Sequence, residues 1–280
     1  MLTVNILTAD DRFLPLLQVH LTRTLARYGE LQHILRFLDT QEKWLLAFMV
    51  YRQWIASQEG HASGRVYASA ILDEAARICR YSRNTVSAFI DGLAAYGIIC
   101  KTTDTRDRRF QEISMTDKIH DAFLFWYLNH GLTLDMLDGG DRAARLNADP
   151  TLLRRIHPPL VTCLIDEEGW RHPSLEIDTF FQIKNGYLVL DYLMTELRLE
   201  PGSPPAYSAG IISRSALGST FAVGRSTIYR LFDLLEKRGF AYWVATSDGP
   251  ELWFYRSFIQ AVCRWQAEKF VRIDKAYRAT

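Results

Sequence analysis

Arg83, Asn84, Thr85 and Ser87 fall in one short stretch of the chain, and Arg225, Ser226, Thr227, Tyr229 and Arg230 fall in another. These side chains are hydrogen-bonding groups rather than nucleophiles or metal ligands. A guanidinium donates two parallel bonds to the edge of guanine, an amide pairs with the edge of adenine, and hydroxyls reach phosphate. The two stretches are related. Arg83, Thr85, Asp91, Leu93 and Gly97 return 142 residues later as Arg225, Thr227, Asp233, Leu235 and Gly239. Val86/Ile228, Phe89/Leu231 and Ile90/Phe232 agree in kind.

The apolar members predict the element that positions the polar ones. Val86, Ile90 and Leu93 share the inner face of a helix, which leaves Arg83, Asn84, Ser87 and Ala88 outward near its N-terminal end. In the second stretch Ile228, Phe232 and Leu235 point inward, and Arg225, Ser226, Tyr229 and Arg230 outward. Thr85 and Thr227, at the positive helix ends, suit phosphate. Ser82 is placed to cap the first helix and Gly97 to stop it. A short helix over 68–79 and a turn at Arg80-Tyr81 precede it. Residues 98–102 and 109–115 make a hairpin behind it. The second stretch repeats the order: helix 213–220, turn 221–223, helix 224–238, and a hairpin of 241–244 with 251–255. Helix, turn, helix and hairpin in that order predict a winged helix.

Arg106, Arg108 and Arg109 make the first hairpin tip basic, and a narrow minor groove attracts such a tip. Here the chain resembles the MarR family of bacterial transcription regulators. Asp107 and Arg109 match that family's Asp-x-Arg, and Met115-Thr116 stands for its Leu-Thr. Ala75-Ala76, Ser82, Thr85-Val86 and Gly97-Ile98 fit upstream, so the resemblance covers about residues 40 to 125. It implies that Arg109 reaches the minor groove and that Arg83, Asn84 and Ser87 enter the major groove. The second hairpin departs from the pattern: it lacks Asp-x-Arg, its tip holds Asp248, and Glu251 adds negative charge. The second unit is therefore expected to bind through its helix alone, to bind more weakly, or not to bind; Arg225, Arg230, Lys237 and Arg238 favour contact.

Elsewhere, Leu2 to Leu7 reads as a short strand or an irregular lead-in. Asp10 or Asp11 then caps a helix beginning near Pro15. The helical pattern covers 13–38, and further helices are expected from Asp39-Thr40 through Trp54, over 117–129, over 187–197 and from Arg256 to Ile273. Residues 131–182 look irregular, with Pro158-Pro159 among the breakers. The resulting organisation is an N-terminal helical segment (1–38), a first winged-helix domain (39–130), a connector (131–185), and a second winged-helix domain with the C-terminal helix (186–280). The fold class is mainly α with small β-hairpin wings. MarR-like proteins are homodimers, so two units in one chain imply a monomer acting as a pseudo-dimer around a helical core, or a higher oligomer.

Composition limits the function classes. Lys+Arg number 33 and Asp+Glu 32, so any nucleic-acid site must be a local patch. With 48% apolar residues the chain can bury a substantial core. No run approaches the ~20 apolar residues of a membrane span, and no basic start precedes an apolar stretch, so no membrane association and a cytoplasmic location are expected. Cys79, Cys100, Cys163 and Cys263 are widely spaced, as in a reduced compartment. His157 and Cys163 have no second pair to complete a metal set. No phosphate-cradling glycine loop, nucleophile elbow or zinc-hydrolase pair occurs, so neither a cofactor nor catalysis is expected. Cys100 beside Lys101 reads as a small strand residue or as a redox switch. Trp44, Tyr51, Trp54, Phe123, Phe125, Trp126 and Tyr127 read as core packing or as a site for a small aromatic effector. The expected function is a transcription regulator that binds double-stranded DNA with two unequal units. The alternatives are a tandem winged-helix replication-initiator or partition protein, and a protein-interaction scaffold that touches no DNA.

Overall fold

The computed structural model describes residues 2–30, 37–58, 66–79, 82–103, 111–166, 172–199 and 205–280. The expected turn at Arg80-Tyr81 and the hairpin tip with Arg106, Asp107, Arg108 and Arg109 lie outside them. The chain opens with α1 (Val4–Ala9) and α2 (Phe13–Glu30). A first module follows: α3 (Gln41–Gln58), β1 (Val66–Tyr67), α4 (Ala68–Cys79), α5 (Arg83–Ala95), β2 (Ile99–Thr103), β3 (Gln111–Met115) and α6 (Asp117–Asp138). Next come α7 (Arg142–Ala148), a 3-10 turn (Pro150–Leu152), α8 (Leu153–Asp166) and α9 (Leu175–Phe181). A second module has the order of the first: α10 (Gly186–Thr195), β4 (Ala206–Ile211), α11 (Arg214–Thr220), α12 (Arg225–Lys237), β5 (Ala241–Thr246), β6 (Gly249–Tyr255) and α13 (Arg256–Arg278). The fold is mainly helical, with two small three-stranded antiparallel sheets of the same topology, β1-β3-β2 and β4-β6-β5.

The repeat extends to individual hydrogen bonds. Gly97 and Gly239 both sit in the left-handed region, at φ 66° and 69°. After each, the chain folds back on its helix: Ile98 N–H donates to the Leu93 carbonyl and Phe240 N–H to the Leu235 carbonyl, both at 2.9 Å. These are Schellman-type stops, which need a residue without a Cβ penalty at the turn. The helix starts differ. Ser82 Oγ accepts from Thr85 N–H at 3.1 Å, whereas Gly224 offers no side-chain cap to α12.

A single core of buried apolar residues runs through both modules. The long helices α6 and α13 meet within it, where the Tyr277 hydroxyl donates to the Tyr127 carbonyl at 2.9 Å. Near the ends of these helices Arg142, at the start of α7, is only 7% exposed and pairs with Asp135, Asp138 and Asp274. Together these carboxylates raise the Arg142 pKa above its ordinary value, the Asp138 hydrogen bond acting most strongly. Asn185 makes a second join. Its N–H donates to the Asp39 carbonyl at 2.7 Å and its side-chain amide to the Phe221 carbonyl at 2.9 Å.

Several expectations need correction. Residues Val4–Ala9 form a helix rather than a strand, capped by Thr3 Oγ1, which accepts from Ile6 N–H at 3.2 Å. Asp10 Oδ1 accepts from Arg12 N–H, and α2 begins at Phe13. The hairpins expected as wings each gain a third strand, β1 or β4. The supposed irregular connector is largely helical, and Pro158 and Pro159 lie inside α8. Proline there removes ladder bonds, but Leu153, Ile156, Leu160, Val161 and Leu164 are buried along the helix and hold it. Helices α6 and α13 run on past their expected ends to Asp138 and Arg278. No described helix is long and apolar enough to cross a membrane.

Candidate nucleic-acid interface

Helix α5 buries Val86, Phe89, Ile90 and Leu93 and leaves Arg83, Asn84, Thr85, Ser87 and Ala88 exposed. Helix α12 buries Ile228, Leu231, Phe232 and Leu235; Arg225, Ser226, Tyr229 and Arg230 are exposed, and Thr227 is half-buried. Both polar faces expected from the sequence are therefore open to solvent. They differ in their surroundings. Arg83 Nη1 donates to Asp73 on α4, and Lys101 on β2 pairs with Asp91 on α5. The Thr85 hydroxyl is engaged with Ser82 Oγ at 2.9 Å, inside the helix cap. The first module thus surrounds its cations with carboxylates.

The second module surrounds its cations with rings. The guanidinium carbon of Arg214 lies 4.6 Å from the ring centre of Trp243, 5.1 Å from Tyr229 and 5.6 Å from Phe232. Arg225 lies 5.6 Å from the other flank of the site, over the same Tyr229 ring. No carboxylate lies within ion-pair range of Arg214, Arg225 or Arg230 among the described residues. Beside the start of α12, Lys184, Gly224, Thr227 and Arg230 line one open groove of about 530 Å³. Lys184 also reaches Asp39 at 3.4 Å. The charge of Glu251 is partly answered: its two oxygens accept from Arg198 at 3.2 Å and Ser208 at 3.1 Å.

Arg214 and Lys184 escape a reading of the sequence. Each lies outside the repeated stretch, and its partners come from elements distant in the chain. The one available signal is the 142-residue offset, which sets Arg214 against Leu72 and Tyr229 against Ser87.

The aromatic residues of the first half pack on one another. Tyr51 stacks on Phe123 at 4.2 Å, and Phe48 meets Phe123 and Trp126 edge-on. The apolar cavity left among Trp44, Phe48, Phe123, Phe125, Trp126 and Asn129 is about 30 Å³, the space of one water molecule. An aromatic effector would have to part these rings. His157 is buried in the same group; its Nε2 donates to the Phe48 carbonyl and its Nδ1 accepts from the Tyr127 hydroxyl. Burial lowers its pKa to about 3. Cys100 is exposed, while Lys101, its neighbour on the opposite face of the strand, is held by Asp91. Comparison of the chain with known families, with curated proteins and with solved structures finds no match.

Proposed function

We propose that this chain is a sequence-specific double-stranded DNA-binding transcription regulator, MarR-like, that carries two winged helix-turn-helix units as a pseudo-dimer. One observation carries the reading: the same helix–helix–hairpin module occurs twice, and in both copies the polar face of the second helix is exposed. In this reading α5 and α12 are the recognition helices. Arg83 and Arg225 contact guanine edges, Asn84 contacts adenine, and Ser226, Thr85 and Thr227 contact phosphate. The sheets are the wings, and the first wing adds Arg106, Arg108 and Arg109. Because Ser87 is replaced by Tyr229 and Asn84 by Ser226, the two half-sites bound should differ.

Selection of bound fragments from random duplex DNA tests the reading directly. A two-part site with unlike halves is expected. Arg83→Ala combined with Arg225→Ala should abolish specific retention in a gel shift; undiminished binding would remove both residues from the reading role. Iterated sites in the selected DNA would move the assignment to a replication initiator or partition protein.

A protein-contact role for the second sheet has its own support. Tyr242 lies 4.9 Å from Tyr255 and stacks on Trp253 at 6.4 Å, and Tyr255 is exposed beside the acidic hairpin tip. Tyr255→Ser would alter self-association, and leave DNA retention intact, if that face serves a protein partner.

A further inference from the structure

We infer that the second module carries the dominant duplex contact and that Arg214, which lies outside both recognition helices, positions it; this inference rests on the DNA-binding reading above. Arg214 opens α11, and its guanidinium touches rings from α12 (Tyr229, Phe232) and β5 (Trp243). Phe232 and Trp243 are themselves 5.5 Å apart. One cation therefore joins three elements. A guanidinium is attracted to the face of an aromatic ring, most strongly to indole. Tyr229 is 37% exposed, and between Arg214 and Arg225 its ring has few positions open to it. Arg225 in turn rests on a ring that is already fixed. A side chain held in place before binding loses less freedom when it binds.

The first module has none of this. At the equivalent positions it carries Leu72 for Arg214, Asp73 for Ser215, Ser87 for Tyr229 and Lys101 for Trp243. Asp73 and Asp91 answer the charges of Arg83 and Lys101. A phosphate or base approaching Arg83 must displace a carboxylate and then remain near it. One approaching Arg225 displaces only water. The exposed Arg83–Asp73 pair is weak, so its main effect is repulsion of phosphate by Asp73 rather than loss of a strong bond. The acidic second hairpin suggests the opposite ranking from the sequence, but its Glu251 is already engaged by Arg198 and Ser208.

The test uses the full chain and a labelled mixed-sequence duplex of about 30 bp at about 50 mM salt, with affinity also followed against salt concentration. Arg225→Ala and Arg214→Ala should each weaken binding by about tenfold or more, and Arg83→Ala by about threefold or less. Asp73→Asn should strengthen binding. Arg214→Lys keeps the charge but loses the planar stack, so it should behave like Arg214→Ala. Wild-type affinity in Arg214→Lys would overturn the positioning role. A loss in Arg83→Ala that equals or exceeds the loss in Arg225→Ala would overturn the ranking. Tyr229→Ser removes the shared ring from the surface, so it tests the same arrangement if the Arg214 variants fold poorly; unchanged binding there would also overturn it. A wild-type chain that retains no duplex would instead defeat the DNA-binding reading itself.

Discussion

Arg142 and Asp274 lie 132 residues apart in the chain and meet in the interior, with Asp274 accepting from Arg142 Nε at 3.0 Å and from Nη2 at 2.5 Å. The pair joins the segment after the first module to the last helix of the second. Asp274 is 1% exposed, and Arg278 also donates to it at 2.8 Å. Removing one member of such a pair leaves a charge buried without its partner. Arg142→Met should destabilise the protein by about 3–5 kcal/mol, whereas Arg142→Met with Asp274→Leu should recover much of the loss. Urea unfolding measures both. A single variant costing less than about 1 kcal/mol would show that the ion pair does not hold the two ends together.

Acid should unfold the protein through its buried histidines. His20 and His130 lie 4.3 Å apart between ring centres, and burial holds both well below their ordinary pKa; His157 is lowered to about 3. In the unfolded chain each titrates near 6.5. Below that pH the unfolded state binds more protons, so stability falls as pH drops from about 6.5, by up to about 1.4 kcal/mol per pH unit for each histidine, and for His157 the fall continues to about pH 3. Asp191 acts in the opposite sense between its folded value of about 6 and its model value of 3.8, because burial favours its neutral form. Thermal midpoints measured from pH 7.5 to 5 should show the decline, and His157→Gln should flatten it. A midpoint that does not change over this range would contradict the assignment.

The turn between α11 and α12 holds Ala222 at φ 55°, a left-handed conformation that costs an L-residue about 1–2 kcal/mol. Ala222→Gly should therefore stabilise the protein by about 0.5–1 kcal/mol, once the added freedom of glycine in the unfolded chain is counted. Gly218→Ala should do the reverse, since a Cβ there would meet the Val223 carbonyl oxygen at 2.9 Å. Paired denaturant melts of the two variants give the comparison. The same sign of change for both would disprove the account.

Asn185 combines a left-handed backbone, at φ 57°, with the amide bond to the Phe221 carbonyl. Asn185→Ala loses both and should cost about 2–3 kcal/mol. Asn185→Gly keeps the backbone and should cost only the hydrogen bond, about 1 kcal/mol. Hydrogen exchange at Val223 and Gly224 should quicken in both, since Phe221 anchors that turn. Slow exchange in the glycine variant would mean that the amide bond does not restrain the turn.

The recognition helices and their stops are legible in the sequence because their causes are local. Val86, Ile90 and Leu93 recur at helical spacing, Ser82 caps the helix three residues before Thr85 as expected, and Gly97 and Gly239 turn the chain back. Strand β4 is not legible: its Ala, Ser and Gly residues carry no strand signal and pair only because β6 lies beside them. Helix α8 hides behind Pro158-Pro159, since burial rather than propensity sustains it. The exposed residues of the site can be read from periodicity. Their electrostatic setting cannot, because Asp73 reaches Arg83 from α4 and Arg214 reaches Tyr229 from α11.

Housing both modules in one polypeptide has a consequence for how such a molecule changes. In a two-subunit protein each altered codon appears on both sides of the dyad, and dilution can part the halves. Here dilution separates nothing, and each half can be altered alone. The carboxylates of the first reading face and the rings of the second show that such drift has already gone far, while Gly97 and Gly239 retain the turn the two halves have in common.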